Sequence, residues 1–183
     1  NKREYDTAIS ALLPARDSDG YEILAGANFE VGAVVRGEIA AGYIVQEFDA
    51  ALYDEIDGFG ARVQLEWFPT QLTTVSGYAS RTIEDSGIAG SGGYLSTGLG
   101  VRVEHELRRN ILVNAEASLA RDEYDDIGRE DDRFTISVGG TYLLNRNLGV
   151  SVAASHFEQT SDGPGAGSEF DVNRLTATLV AQF

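Results

Sequence analysis

The sequence of 183 residues has no cysteine, only three prolines and no long run of apolar residues. The lack of cysteine excludes a disulfide framework, a thiolate nucleophile and a Cys-ligated metal site. The lack of an apolar run of about 20 residues excludes a transmembrane helix. The opening residues NKREYDTAIS have neither the apolar core nor the cleavage site of a signal peptide, and they include no Met. We interpret the chain as processed or as part of a longer one.

Basic residues are also scarce. There are 14 Lys and Arg against 29 Asp and Glu, which gives a formal net charge of -15. Binding to nucleic acid phosphates requires clusters of Lys and Arg. The composition therefore argues against a nucleic acid partner.

Apolar and polar residues alternate along almost the whole chain. Between residues 59 and 67, for example, Phe59, Val63 and Trp67 fall on one face, and Arg62 and Glu66 fall on the other. This period of two predicts β-strands, and no stripe of helical period competes with it. We therefore predict an all-β chain of ten strands, at 3–13, 21–32, 35–48, 57–68, 72–84, 94–107, 111–123, 133–144, 148–160 and 170–183.

The predicted connections alternate between short and long. Short ones fall near 32–34, 69–71, 108–110 and 145–147, and long ones contain ARDSDG, EFDAALYDEIDG, EDSGIAGSGG, DEYDDIGREDD and SDGPGAGSE. The regular return of the hairpins, at about every 38 residues, is typical of an up-and-down antiparallel meander.

The length of the strands and the placement of aromatic residues favour a membrane barrel over a soluble one. Soluble strands average about 5–6 residues, whereas these have about 11–14, enough for a tilted strand to cross a bilayer. Short turns on one side, long loops on the other and aromatic residues at strand ends are typical of outer-membrane barrels. Trp67 and Tyr142 lie beside short turns, and Phe183 ends the last strand. The sequence predicts a transmembrane up-and-down antiparallel β-barrel of about ten strands.

Three stretches carry a family resemblance. They are WFPTQLTTVSGYASRTIEDS, the long run from SGGYLSTGLG to SVAASHF, and the closing FDVNRLTATLVAQF. Together they resemble the second family of β-barrel porins, of the alphaproteobacterial type, over about the last two thirds of the chain. The resemblance implies an outer-membrane barrel of a Gram-negative bacterium and no catalytic motif. Members are usually longer, so residues 1–183 form either one complete barrel domain or the C-terminal part of a larger barrel.

The aromatic C-terminus resembles the signal that the bacterial barrel-assembly machinery reads. Phe183 is the residue that would carry this signal. The expected partners are thus this machinery, outer-membrane lipid and lipopolysaccharide.

A set of charged residues is expected to line the lumen. A barrel of about ten strands has a narrow interior, since eight strands are just filled by side chains. The lumen-lining candidates are Arg36, Glu38, Arg62, Glu66, Arg102, Glu104, Glu106 and Glu116. They either brace the lumen as ion pairs or, through the excess of Glu, line a narrow pore that prefers cations.

Acidic loops are a second candidate site. The metal candidates are Asp122, Asp125, Asp126, Asp131 and Asp132, whose carboxylates could bind Ca²⁺ or bridge through it to lipopolysaccharide phosphates. No complete EF-hand pattern is present, so a solvated acidic loop explains them better than a metal site. No other cofactor is expected.

Three other roles can be considered: an enzyme, a structural anchor and a member of an oligomer or surface array. The only histidines, His105 and His156, show no Ser/His/Asp arrangement, so no enzyme is predicted. The barrel could instead be a non-conducting structural anchor whose loops bind a partner. Small residues on the lipid face, such as Ala25, Ala115 and Ala177, would permit contact with neighbouring copies in an oligomer or surface array.

Overall fold

The computed structural model describes residues 2–3 and 17–181. They form one antiparallel sheet with the order β1-β2-β3-β4-β5-β6-β7-β8-β9-β10, in which each strand pairs with its neighbours along the chain. The strands are β1 (Lys2–Arg3), β2 (Ser18–Val31), β3 (Val35–Phe48), β4 (Ile56–Thr70), β5 (Thr73–Asp85), β6 (Gly93–Arg108), β7 (Ile111–Tyr124), β8 (Arg129–Leu143), β9 (Leu148–Asp162) and β10 (Phe170–Ala181). The prediction of an all-β, up-and-down antiparallel chain is confirmed.

Most predicted strand boundaries agree with the structure. The predicted strand 35–48 has the observed bounds, and 111–123 ends one residue before the observed end of β7. The predicted first strand, 3–13, and the terminal residue Phe183 lie outside the described residues except for Arg3, which pairs with Ser18.

One predicted loop was wrong. The segment DEYDDIGREDD was expected to be a long connection, but β7 continues to Tyr124 and β8 begins at Arg129. Only a 3-10 turn, Asp125–Ile127, and Gly128 connect the two strands, and Gly128 takes the left-handed conformation at φ 58°. The segment looks like a loop in sequence because it is highly charged. In the structure most of these charged side chains form ion pairs with one another at the ends of β7 and β8. The metal candidates Asp122, Asp131 and Asp132 are therefore strand residues, not loop residues.

The cross-strand register gives the sheet an apolar face and a polar face. On the apolar face Trp67 and Phe59 lie eight positions apart on β4, and so do Tyr142 and Phe134 on β8. Eight residues of strand span about 26 Å. Between these aromatic residues the apolar face carries side chains such as Leu65 and Val138, which is 54% exposed. An exposed apolar band thus runs across the sheet between two levels of aromatic residues.

The outer strand β10 is exposed. Every residue of β10 is exposed, and among the described residues β10 pairs only with β9. Both β2 and β10 run from the end with the long connections to the end with the short turns. An antiparallel closed barrel therefore requires an additional strand between them that runs in the opposite direction, and β1 has this direction.

The buried apolar side chains gather at the long-connection end. Ile44, Ile56, Ile83 and Leu95 form a small cluster, and Phe48 packs against it. Within the described part of the chain, no helix is long and apolar enough to cross a membrane.

Candidate functional site

The predicted lumen residues share the polar face of the sheet. Arg36 lies directly opposite Glu66 on the neighbouring strand, and Arg102 lies opposite Glu116. Arg36 forms an ion pair with Glu66, and Arg102 Nε lies 3.3 Å from Glu116 Oε2. A third arginine, Arg62, approaches Glu22, with 3.9 Å between Arg62 Nη2 and Glu22 Oε1. Each of these arginines is therefore accompanied by a carboxylate.

Three further glutamates on the same face have no such partner. Glu38 lies opposite Gln64, Glu104 opposite Asn114, and Glu106 opposite Leu112. Within residues 17–181 no Arg or His nitrogen lies within ion-pair distance of these carboxylates. In the described part of the chain, the polar face between β3 and β7 therefore carries more negative than positive charge.

The polar face is open to water near the short turns. The side chains of Arg36 and Arg62 are 62% and 54% exposed. A cavity of about 730 Å³ is lined there by polar-face residues that include Asn28, Glu38 and Gln64. Tyr78 extends across this region, and its ring lies over Gly100, where a Cβ atom would come within 2.5 Å of it.

Near the long connections the polar face carries two buried carboxylates. Asp122 is 4% exposed, accepts a hydrogen bond from Ser96 Oγ at 2.7 Å and forms an ion pair with Arg133 at 2.6 Å. Asp131 is equally buried and accepts two hydrogen bonds from the Arg129 guanidinium, at 2.8 and 2.7 Å. The arrangement replaces water around each carboxylate with fixed donors.

These carboxylates lie beyond Phe134, toward the long connections. Their surroundings shift the pKa values of Asp131 and Tyr124. Burial alone would raise the pKa of Asp131, but hydrogen bonds from Arg129 and Ser161 outweigh it, and the pKa lies below its ordinary value. Tyr124 stacks on Tyr94 with 4.6 Å between ring centroids, and its ring is covered by Arg129. Burial, together with the charge of Asp122, raises the pKa of Tyr124 to about 12. Asp131 is thus ionised and Tyr124 neutral at neutral pH.

Asp126 connects three of the segments that join strands at this end. Its Oδ1 accepts a hydrogen bond from the backbone N–H of Asp54 at 2.7 Å, and its Oδ2 accepts one from the N–H of Gly92 at 2.8 Å. Asp54 belongs to the β3–β4 connection, Gly92 to the β5–β6 connection and Asp126 itself to the β7–β8 turn. One carboxylate therefore holds three connections together.

The five metal candidates are distributed over separate places. Asp122 and Asp131 are buried against arginines on the polar face, whereas Asp132 pairs with Arg121 on the opposite face. Asp125 is exposed in the turn, and Asp126 binds backbone amides. Within the part of the chain that the structure describes, no group of three or more Asp, Glu or His side chains is placed to hold a metal ion. Calcium binding by these residues stays a prediction.

The histidines lie on the apolar face. His105 Nδ1 is 2.9 Å from Thr73 Oγ1, and His156 Nδ1 is 3.0 Å from Asn173 Oδ1. Ser155, the neighbour of His156 in sequence, lies on the polar face opposite Ser137.

An up-and-down antiparallel sheet with one apolar and one charged face is the type of sheet from which barrels are built. The family model described as "Putative beta-barrel porin 2" matches residues 1–183, and the chain belongs to this family. The resemblance predicted from the last two thirds of the sequence is thus confirmed and extends over the whole chain. No curated protein matches the chain significantly. Membership of a porin family suggests a location in the outer membrane and a non-enzymatic role.

Proposed function

We propose that the chain forms, or contributes to, an outer-membrane β-barrel with a narrow pore that prefers cations. The observation that carries this proposal is the unequal pairing on the polar face. Arg36, Arg62 and Arg102 each have a carboxylate partner, whereas Glu38 and Glu104 have no cationic partner within residues 17–181. Unpaired carboxylates along a pore attract cations and repel anions.

The apolar face supports membrane insertion. Barrels of the outer membrane carry an outward apolar band about 25 Å tall with aromatic residues at both interfaces. The band between Phe59 and Trp67 on β4 is repeated between Phe134 and Tyr142 on β8. It measures about 26 Å along the strand, which is about 20 Å across the membrane at a strand tilt of about 40°. The short turns would face the periplasm and the long connections the exterior.

The test is ion conductance of the folded protein in planar bilayers, with a salt gradient to measure selectivity. We expect cation-selective steps, and a smaller preference for cations in the Glu38→Gln/Glu104→Gln variant. Glu47→Gln is the matched control, because Glu47 is exposed on the opposite face of β3. A folded protein that conducts no ions would contradict the pore, and one that prefers anions would contradict its preference for cations.

A second candidate is a non-conducting anchor, and the buried ion pairs near the long connections favour it. Asp126 fastens three connections, and at the same end of the sheet Asp122 and Asp131 are buried in ion pairs. A non-conducting anchor would give no ion conductance in planar bilayers, while a heat-modifiable gel shift would still show that the barrel is folded. The acidic connections would then be the surface that binds a partner, divalent cations or lipopolysaccharide.

A further inference from the structure

Just beyond the apolar band, a row of polar residues crosses the apolar face. Arg81, Thr97 and Arg121 lie opposite one another on β5, β6 and β7. The next row toward the short turns contains Leu99, Leu119 and Phe134, which also lie opposite one another. The change from apolar to polar side chains therefore occurs over two residues of each strand, which is one step along the same face.

These two rows line one groove. Its volume is about 700 Å³, and Arg81, Thr97 and Arg121 stand at one end of Leu99, Leu119 and Phe134. Glu123, Asp132 and Glu158 also line the groove, and Glu158 lies opposite Phe134. A groove with apolar side chains on its floor and charged groups of both signs at its rim suits an amphiphile with an acyl chain and a charged headgroup.

The two arginines keep donors for a ligand. Neighbouring strands are about 4.8 Å apart, so Arg81 and Arg121 lie about 10 Å apart, on either side of Thr97. Arg81 donates to Thr97 Oγ1 at 2.7 Å and is only loosely paired with Glu123, at 3.5 Å. A guanidinium has five N–H donors, and Arg121 uses three nitrogens toward Asp132 and Glu130. The two guanidiniums and the Thr97 hydroxyl can thus surround one phosphate.

We propose that this groove binds a phosphate-bearing lipid of the outer leaflet, of the lipid A class, with the phosphate between Arg81 and Arg121. The proposal rests on the proposed function, since it requires the apolar face to meet lipid. The groove lies toward the long connections, which face the exterior in outer-membrane barrels. The carboxylates Glu123, Glu130 and Asp132 flank the two arginines. They favour lipid A over a zwitterionic phospholipid, because divalent cations can bridge carboxylates to the two phosphates of lipid A.

The test is native mass spectrometry of the full chain, folded in detergent and titrated with bis-phosphorylated lipid A at fixed magnesium concentration. We expect the Arg81→Gln/Arg121→Gln variant to bind about tenfold more weakly, since it loses charge-assisted hydrogen bonds to phosphate. The matched control is Arg109→Gln/Arg146→Gln, which removes the same charge from exposed short turns at the other end of the sheet. Control and unaltered protein should bind alike, and lipid A without its phosphates should bind weakly to all three.

Several results would overturn the proposal. Equal losses in the two double variants would show that net charge alone attracts the lipid. Equal binding of dephosphorylated lipid A would remove the role of the phosphate, and equal, arginine-dependent binding of phosphatidylglycerol would assign the groove to a phospholipid. A protein that shows the heat-modifiable shift and enters vesicles but binds no lipid A would refute the groove alone. A protein that fails to enter vesicles would refute the membrane barrel as well.

Discussion

The carboxylate of Asp126 should control the stability of the long-connection end without holding the sheet together. It accepts two backbone hydrogen bonds, from Asp54 and from Gly92, and these residues belong to different connections. The Asp126→Ala change removes both acceptors. The strands themselves keep their ladders, because neither hydrogen bond belongs to a strand pair. The change should therefore loosen the connections locally.

The size of the effect follows from the two bonds. A hydrogen bond to a charged group contributes about 1.5–3 kcal/mol net, and the lower value applies because Asp126 is only half-buried. A loss of about 1.4 kcal/mol is tenfold in an equilibrium constant. The amides of Asp54 and Gly92 should thus exchange with solvent about tenfold faster in Asp126→Ala, as measured by NMR hydrogen exchange of the detergent-folded protein.

Asp125→Ala is the matched control. Asp125 is the neighbouring residue, has the same charge and is exposed, so its removal should leave both amides protected. Asp126→Asn should give an intermediate result, because it keeps one acceptor oxygen. Unchanged exchange at both amides in Asp126→Ala would refute the role of this carboxylate, and so would equal effects of the two alanine variants.

Two further predictions concern the strands. Although burial acts in the other direction, hydrogen bonds from Arg129 and Ser161 lower the pKa of Asp131 below its ordinary value of 3.8. Its ionised form therefore stabilises the fold at neutral pH, and this contribution is lost as the pH falls through the lowered pKa. Between about pH 7 and about pH 2.5, urea unfolding should show a larger loss of stability in the unaltered protein than in Asp131→Asn. Separately, Val138→Arg on the apolar face should lower the unfolding free energy in lipid vesicles by about 2–4 kcal/mol, and Ser137→Arg on the polar face by much less. Equal costs for the two arginine variants would contradict the assignment of the faces.

The sequence was informative wherever alternation and turn residues agreed. β3 and β7 were predicted almost to the residue, because apolar side chains occupy every second position and a short turn ends the strand. The start of β8 was missed because Arg129 and Asp131, which precede the predicted first residue Arg133, look like a solvated loop in sequence. In the structure they lie on the polar face, where Asp131 and Asp122 pair with the arginines.

Candidate site residues were easier to assign to a face than to a partner. Alternation alone placed Arg36, Glu66, Arg102 and Glu116 on one side of the sheet. Their pairing depends on the register between strands, which the sequence of a single strand does not contain. For the same reason the Arg81, Thr97 and Arg121 row could not be predicted. The hydrogen bonds of Asp126 were even harder to predict from the sequence, since its partners lie 34 and 72 positions away along the chain.

The most direct test of the central claim, that the apolar face meets lipid and the polar face meets water, is spin labelling along β8. The chain has no cysteine, so single Cys variants at each position from 134 to 142 need no prior background changes. In vesicles, labels at Phe134, Ile136, Val138, Gly140 and Tyr142 should collide with oxygen, which concentrates in lipid. Labels at Thr135, Ser137, Gly139 and Thr141 should instead collide with a water-soluble nickel complex. Low accessibility to both reagents at Ile136 and Val138 would show that the apolar face is packed inside a protein core, and this would contradict the account.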